Sequence, residues 1–193
     1  NEEMPAAPFY AKMRAGGIAK TAAVNVDSFA ASFEDILKEG NDILYLGFSS
    51  GLSTTYNSAR LAAEQLRDKY PERKIITIDT LAASAGEGMA VYLAVKKQQE
   101  GATIEENAEY IKSIIPNLAH WFTVDDLVYL KRGGRVSPTA AFFGNMLGIK
   151  PVLHVDNEGH LTPVVKVRGR KTSVTTMADK YTETAIDPAK GPI

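Results

Sequence analysis

The 193-residue sequence contains no cysteine, which excludes a disulfide-bonded scaffold and any metal site built on thiolates. It has no apolar run that approaches the ~20 residues needed to cross a bilayer, so a membrane-spanning protein is not expected. Basic residues form no long cluster, since the formal net charge is −1 and the densest basic stretch, 166–171, is short. A nucleic-acid-binding protein usually shows a broad basic patch, so nucleic acid is not expected as a partner.

Histidine is also scarce, and the three residues of this type lie apart at His120, His154 and His160. A metal site needs several ligands at suitable spacing, so no metal is expected. The N-terminus lacks the basic-then-apolar pattern of a signal peptide, and a cytoplasmic protein is therefore predicted. Because the sequence starts with Asn1 rather than Met and ends abruptly at Ile193, we expect it to be part of a longer chain.

What is present is the composition of an ordinary globular protein, 45% apolar and 23% charged. Apolar runs at 42–48 and 74–78 predict two buried strands, and helical patterns follow them at about 54–69 and 82–100. A third strand is predicted at 118–124. Strands that alternate with helices of this length are typical of a parallel α/β sheet.

Glycines and capping residues refine this prediction. Gly86 and Gly88 lie inside a predicted helix at a cost in helix propensity, so we expect them to permit close approach of another part of the chain. Asp27 is the predicted N-cap of a helix that precedes the first strand. Thr103 and Glu106 have the spacing of a capping box and predict the start of a further helix.

The pattern changes towards the C-terminus, where residues 149–155 and 161–167 alternate apolar and polar side chains on either side of a polar turn. This alternation predicts a β-hairpin, and a helix is predicted to follow at about 171–185. We therefore predict two domains. Residues 1–145 form an α/β/α first domain with a parallel sheet, and residues 146–193 begin a second, smaller α/β domain with a mixed or antiparallel sheet.

The most informative segment is a loop of small and hydroxyl-bearing residues at 47–55, Gly-Phe-Ser-Ser-Gly-Leu-Ser-Thr-Thr, here called the serine loop. It follows a buried strand and leads into a helix, so unpaired N–H groups and the positive end of the helix dipole point into it. Such a site suits a carboxylate or a phosphate. The hydroxyls of Ser53 and Thr54 can cap the helix or donate to a bound oxyanion, and a purely structural cap is the alternative interpretation.

Part of the serine loop, Gly47–Gly51, matches the Gly-x-Ser-x-Gly turn of α/β-hydrolases. Ser49 would then be the nucleophile of a serine hydrolase. Two features count against this interpretation, because the helix begins several residues after Ser49 and two of the three histidines lie in the hairpin pattern. Hydrolysis is kept as an alternative hypothesis.

Two further groups of polar residues are less specific. Asp79 and Thr80 end the second predicted strand, where a structural role such as an Asx-turn is favoured. Arg132 and Arg135 flank two glycines in a turn, and the residues alone assign them no function. An apolar cluster at 142–149 follows, and it belongs either to an ordinary core or to a ligand tunnel.

Four motifs occur in order along the chain: Ser49-Ser50-Gly51-Leu52-Ser53, Asp79-Thr80-Leu81-Ala82-Ala83-Ser84-Ala85-Gly86, Leu130-Lys131-Arg132-Gly133-Gly134-Arg135 and Lys166-Val167-Arg168-Gly169. With them the chain resembles the DegV family of fatty-acid-binding, FakB-type proteins, roughly over residues 5–175. The resemblance implies two α/β domains with a lipid buried between them.

The resemblance assigns the fatty-acid carboxylate to an extended threonine-containing segment and to the serine loop. Thr21 and Ser53 are the implied carboxylate ligands, with Ser50 and Thr54 as further ligand-binding candidates. The family usually has serine after this threonine, whereas Ala22 stands here, so one hydroxyl is missing. The family's carboxylate-contacting histidine is expected outside this sequence, and none of the histidines present is assigned its role. A bound long-chain fatty acid is implied, with no cofactor and no metal.

The resemblance also implies a partner. In such proteins a separate fatty acid kinase subunit, related to dihydroxyacetone kinases, converts the bound fatty acid to an acyl phosphate for phospholipid synthesis. The sequence contains no Walker A motif, so the chain is expected to present the substrate and not to be an enzyme. Arg132 and Arg135 become candidates for kinase docking. A binding module for another small carboxylate or phosphate, and a serine hydrolase, remain the alternatives.

Overall fold

The computed structural model describes residues 4–137, 148–187 and 189. Within these residues the chain forms two sheets flanked by helices, and the predicted α/β class is confirmed. None of the helices there combines the length and the apolar character required to cross a membrane. Ser137-Pro138 in the sequence predicts the start of a short helix, with serine as the N-cap and proline at the first helical position. The body of that predicted helix and most of the apolar cluster at 142–149 lie outside the described residues.

The first sheet is formed by two strands that pair in parallel, with Ile43 opposite Ile75 and Gly47 opposite Asp79. Its strands and helices are, in order, α1 (Ala6–Arg14), α2 (Val26–Lys38), β1 (Ile43–Gly47), α3 (Thr55–Lys69), β2 (Ile75–Asp79), α4 (Ser84–Gln99) and α5 (Ile104–Ile114), followed by a 3-10 turn (Ile115–Asn117). Because the strands are parallel, their carboxyl ends meet at the same edge of the sheet.

Helices cover both faces of this sheet. α2 and α3 form a core with Ile43 and Ile75, and three buried alanines allow α3 to lie close to the strands. α4 and α5 form a separate core around Ile78. Parallel strands are normally buried on both faces, which explains why β1 and β2 consist largely of isoleucine and leucine.

The helices begin with local capping chemistry. Thr103 and Glu106 form the predicted capping box of α5, in which the Thr103 hydroxyl oxygen accepts from the Glu106 N–H. The N-cap predicted for α2, Asp27, is wrong by two residues. The Oδ1 of Asn25 caps the helix by accepting from the Ser28 N–H at 2.8 Å. The helix begins directly after Asn25, so Asp27 lies inside its first turn.

The second sheet is antiparallel, with its strands in the order β3-β4-β5. The predicted hairpin is confirmed as the β4–β5 pair, and the helix that follows it packs against all three strands. Leu127, Val136 and Leu153 form a small core of this part of the chain. Its elements are β3 (Trp121–Thr123), α6 (Val128–Arg132), β4 (Ile149–Val155), β5 (Leu161–Arg168) and α7 (Arg170–Thr184).

The position of β3 corrects one prediction. The strand predicted at 118–124 is present at Trp121–Thr123, but it pairs antiparallel with β4 and not with the parallel strands. The apolar pattern of β3 specifies a strand. Its pairing partner is decided by the packing of Phe122 next to Leu153, in the small core of the second sheet. The division of the chain into domains at 145 and 146 stays a prediction.

Candidate functional site

The serine loop leaves β1 at the edge of the first sheet, where Gly47 lies opposite Asp79 at the end of β2. Thr80 is fully buried, and its hydroxyl donates to the Gly47 carbonyl oxygen at 2.7 Å. The Ser49 N–H donates to the Ala82 carbonyl oxygen at 2.8 Å. The segment after β2 therefore holds the first part of the loop, at the carboxyl ends of parallel strands where ligands usually bind in α/β sheets.

The Asp79 carboxylate holds two backbone amides of this region. Its Oδ1 accepts from the Ser50 N–H at 3.2 Å and from the Leu81 N–H at 3.1 Å. Leu81 and Ser84 have φ angles of 49° and 52°, a left-handed conformation that residues other than glycine rarely adopt. Because the carboxylate supports this unusual turn and the serine loop together, Asp79 has the structural role that the sequence favours.

Ser49, the nucleophile of the hydrolase hypothesis, is fully buried. Its hydroxyl donates to the Gly159 carbonyl oxygen at 2.8 Å, and its Oγ accepts from the Gly51 N–H at 3.2 Å. A nucleophilic serine needs an accessible Oγ and a neighbouring base that takes its proton. Here the hydroxyl hydrogen is bonded to a carbonyl oxygen, so Ser49 is a structural residue and the geometry argues against hydrolysis.

The turn between β4 and β5 packs directly on the serine loop. A side chain at Gly159 would overlap the Ser49 Oγ, and a Cβ at Gly51 would lie 2.7 Å from the Glu158 carbonyl oxygen. The turn itself is held by Asp156, whose Oδ1 accepts from two backbone N–H groups of the turn at 3.1 and 2.8 Å. The two glycines thus allow the hairpin of the second sheet to contact the loop of the first.

The start of α3 brings the hydroxyl groups of Ser53 and Thr55 together. The helix begins at Thr55, and the Ser53 Oγ accepts from the Thr55 N–H at 3.2 Å. The Ser53 and Thr55 hydroxyls lie 2.8 Å apart and share a hydrogen bond. Thr54 precedes the helix directly, but its side chain makes no capping bond and is exposed. Ser53 therefore satisfies the first N–H group of α3 from the position before the N-cap. Thr55, which contacts Ser53, is not among the residues that the sequence predicts for the site, although its hydroxyl at the start of the helix was a signal for it.

The structure places the four predicted carboxylate ligands in two segments. Ser50, Ser53 and Thr54 lie in the serine loop, where the Ser50 N–H is bonded to Asp79. Thr21 lies in the exposed stretch between α1 and α2. The contacts of the described residues do not join Thr21 to Ser53. The convergence of these two hydroxyls on one oxyanion therefore stays a prediction.

The structure separates the two arginines that are predicted for kinase docking. Arg135 is half-buried, and its Nε donates to the Leu52 carbonyl oxygen of the serine loop at 3.1 Å. Another nitrogen of the same guanidinium group donates to the Gly133 carbonyl oxygen. Arg132 is exposed and lies over the ring of Tyr129, with 5.7 Å between the guanidinium carbon and the ring centroid. Arg135 therefore supports the serine loop, whereas Arg132 faces solvent.

The first turn of α4 lies against His120. A Cβ at Gly86 would overlap the His120 ring, which confirms the close approach predicted for Gly86. The same prediction is wrong for Gly88, beside which the structure leaves open space. Burial lowers the pKa of His120 below its ordinary value of 6.5, and the nearby His154 adds to this shift. His120 is therefore uncharged at neutral pH, as a packed imidazole ring should be.

A cleft of about 470 Å³ lies along β1 and α4, and none of its lining residues belongs to the serine loop. Leu44, Leu46, Val91 and Val95 contribute apolar side chains, and the buried Asn107 also lines the cleft. This cleft is therefore not formed by the residues proposed for the carboxylate. Across residues 4–137, 148–187 and 189, no group of acidic and histidine side chains could hold a metal ion.

With this geometry in place, comparison with known proteins decides the family. The DegV family model matches residues 1–193. The chain belongs to the DegV family. A DegV domain-containing protein of Clostridium perfringens is 42% identical over 188 residues, which make up 97% of this chain and 65% of that protein. The resemblance seen in the four sequence motifs is confirmed.

Solved structures of DegV proteins share this fold. A DegV lipid-binding protein from Thermotoga maritima matches with a TM-score of 0.80 and 33% identity, over 94% of this chain and 62% of its own. The Fatty Acid Kinase (Fak) B3 protein of Streptococcus pneumoniae, loaded with linoleic acid, matches with a TM-score of 0.83 and 25% identity, over 92% of this chain and 62% of its own. The chain thus spans less than two thirds of the length of these relatives.

Proposed function

We propose that this DegV protein binds a long-chain fatty acid and holds its carboxylate at the serine loop. The observation that carries the proposal is the shared fold with the lipid-binding DegV protein of Thermotoga maritima. The chemistry of the serine loop supports it, because hydroxyl groups stand at the N-terminus of α3, where a helix attracts anions.

Ser53 is the proposed main donor to the carboxylate. Ser50 and Thr54, whose side chains are exposed, lie beside it, and Thr21 is the proposed second donor from the segment before α2. Neutral hydroxyls bind a carboxylate without the desolvation cost of a buried cation. The dipole of α3 adds a favourable interaction of about 0.3–1 kcal/mol with the anion.

The acyl chain is expected to supply most of the affinity. Burial of each methylene contributes about 0.8 kcal/mol, so a chain of about 16 carbons gains on the order of 10 kcal/mol before the entropic cost of ordering. The serine loop contributes less free energy than the chain. It distinguishes the carboxylate end from the methyl end and so determines the direction in which the ligand lies.

The bound carboxylate is then presented to a separate kinase subunit in the cytoplasm. The Streptococcus pneumoniae relative is named as a B3 protein of Fatty Acid Kinase, which supports a role as the lipid carrier of such an assembly. A carboxylate oxygen attacks the terminal phosphorus of a nucleoside triphosphate on the kinase. The new O–P bond gives the acyl phosphate, and the bond to the terminal phosphorus breaks to release the nucleoside diphosphate. This reaction needs no catalytic residue on the DegV chain, and the exposed Arg132 is the proposed docking residue.

Native mass spectrometry of the 193-residue protein mixed with palmitate tests this function. We expect a complex with one palmitate, and Ser53→Ala should weaken its affinity at least about tenfold, because a hydrogen bond to a charged group contributes ~1.5–3 kcal/mol. Ser113→Ala is the matched control, since Ser113 is an exposed serine whose hydroxyl donates to the Tyr110 carbonyl oxygen of α5.

Two results would contradict the proposal at different levels. Equal palmitate affinity in Ser53→Ala and the wild type would reject the head-group assignment but not fatty-acid binding. A wild-type protein that binds no palmitate would reject fatty-acid binding itself. Binding of inorganic phosphate in its place would then favour the alternative of a small-anion module.

A further inference from the structure

We propose that Thr55 is a positioning residue that makes the Ser53 hydroxyl a hydrogen-bond donor only; this inference rests on the fatty-acid function proposed above. Thr55 is the first residue of α3, and two of its groups approach the same oxygen atom. Its N–H donates to the Ser53 Oγ at 3.2 Å, and its own Oγ1 lies 2.8 Å from that Oγ. Both residues are half-buried at the helix start.

The backbone on which Ser53 stands is also held. Its N–H donates to the Ser49 carbonyl oxygen at 3.1 Å. The preceding carbonyl oxygen, that of Leu52, accepts from the Arg135 Nε at 3.1 Å. Because the backbone is fixed on both sides, the main conformational freedom left to Ser53 is the orientation of its O–H bond. The contacts with Thr55 restrict that orientation.

The hydrogen-bonding capacity of a hydroxyl group decides the effect of these contacts. A serine hydroxyl has one hydrogen to donate and two lone pairs that can accept. When the Thr55 hydroxyl donates to Ser53, its O–H and N–H together occupy both lone pairs of the Ser53 Oγ. The hydrogen of Ser53 is then its one remaining bonding group. An anion opposite Ser53 selects this arrangement, because the reverse arrangement commits the Ser53 hydrogen to Thr55.

A hydroxyl that can only donate discriminates between the head groups of ligands. A carboxylate oxygen accepts a charge-assisted hydrogen bond, which is roughly twice as strong as a neutral one. The two bonds that Ser53 accepts polarise its O–H group and strengthen the bond that it donates. A fatty alcohol forms a weaker hydrogen bond with Ser53, because its oxygen is neutral. Its own hydrogen also has no free lone pair on Ser53 to which it can donate. Thr55 should therefore raise the preference for a fatty acid over a fatty alcohol of the same length.

The test compares the dissociation constants of palmitate and hexadecanol for the wild type and three variants. Thr55→Val keeps the shape and the N–H of the residue but removes the hydroxyl, and the preference for palmitate should fall about tenfold. Thr55→Ser keeps the hydroxyl and should retain the wild-type preference. Thr103→Val removes the capping threonine of α5 and is the matched control, which should lower stability but leave the preference unchanged.

The outcomes distinguish this inference from the proposed function. Palmitate binding by the wild type with an unchanged preference in Thr55→Val overturns the inference alone. Equal losses of palmitate and hexadecanol affinity overturn it as well, because a merely structural threonine acts on both ligands alike. A wild type that binds neither ligand overturns fatty-acid binding and this inference with it. If Thr55→Val does not fold, Thr55→Ala also lacks the hydroxyl, has higher helix propensity and should show the same loss of preference.

Discussion

The Ser49 hydroxyl donates a hydrogen bond of 2.8 Å to the Gly159 carbonyl oxygen, across 110 positions of the chain. The contact is buried, and it joins the loop that leaves the parallel sheet to the turn of the antiparallel hairpin. The candidate site is therefore held by elements that are remote in sequence. Changes at this contact should affect both the stability of the fold and the geometry of the serine loop.

Replacement of Ser49 by alanine should destabilise the protein. It leaves the Gly159 carbonyl oxygen and the Gly51 N–H without their partner, which typically costs about 1–3 kcal/mol for buried groups. Urea denaturation measures the change in the free energy of unfolding. The exposed Ser113→Ala variant should stay within about 0.5 kcal/mol of the wild type. If Ser49→Ala has the same urea midpoint as the wild type, the bond does not stabilise the fold.

Gly159→Ala and Gly101→Ala separate backbone strain from steric overlap. Both glycines have positive φ angles, +78° and +89°, so alanine at either position is strained by about 1–2 kcal/mol. A side chain at Gly159 would in addition overlap the Ser49 Oγ, whereas the space around Gly101 is open. In urea, Gly159→Ala should lose clearly more free energy of unfolding than Gly101→Ala. Equal losses would contradict the packing of the hairpin on the serine loop.

The two glycines of α4 should respond in opposite directions to substitution by alanine. Gly88→Ala should stabilise the protein by about 0.5–1 kcal/mol, because alanine has the higher helix propensity and the surrounding space is open. Gly86→Ala should destabilise it, because the methyl group would overlap the His120 ring. Thermal melting of both variants checks this prediction. A raised Tm in both would mean that His120 does not lie against Gly86.

The half-buried His120 should make stability depend on pH. Its pKa in the folded protein is lowered from the ordinary value of 6.5 by burial and by His154. The contribution of the uncharged His120 ring to the free energy of unfolding is fully present above pH 6.5. As the pH falls below that value, the unfolded chain binds the proton first, so stability decreases until the folded-state pKa is reached.

Urea unfolding between about pH 7 and pH 5 measures this effect, and His120→Gln should remove part of the decrease. The imidazole resonances of His120 in NMR spectra provide an independent measurement. They should titrate with a midpoint below 6.5, and a midpoint at or above that value would contradict the burial of the ring.

The sequence by itself determines the local structure of this protein. Apolar runs at 42–48 and 74–78 predict strands that the structure has at Ile43–Gly47 and Ile75–Asp79. Alternation of side chains predicts the β4–β5 hairpin in the same way. The position of the serine loop between a strand and a helix follows as well. These features depend on residues that are neighbours along the chain, where periodicity and hydrogen-bonding capacity can be read directly.

The tertiary structure alone decided which of these segments meet. The apolar residues of β3 specify a strand, but only packing beside Leu153 gives it an antiparallel partner. Ser49 and Arg135 likewise have the residue types of a nucleophile and a docking cation. The fold directs both onto backbone carbonyl oxygens, at Gly159 and Leu52. The physical reason is that a polar side chain bonds whichever group the packing of distant elements places beside it, and no short-range pattern encodes that packing.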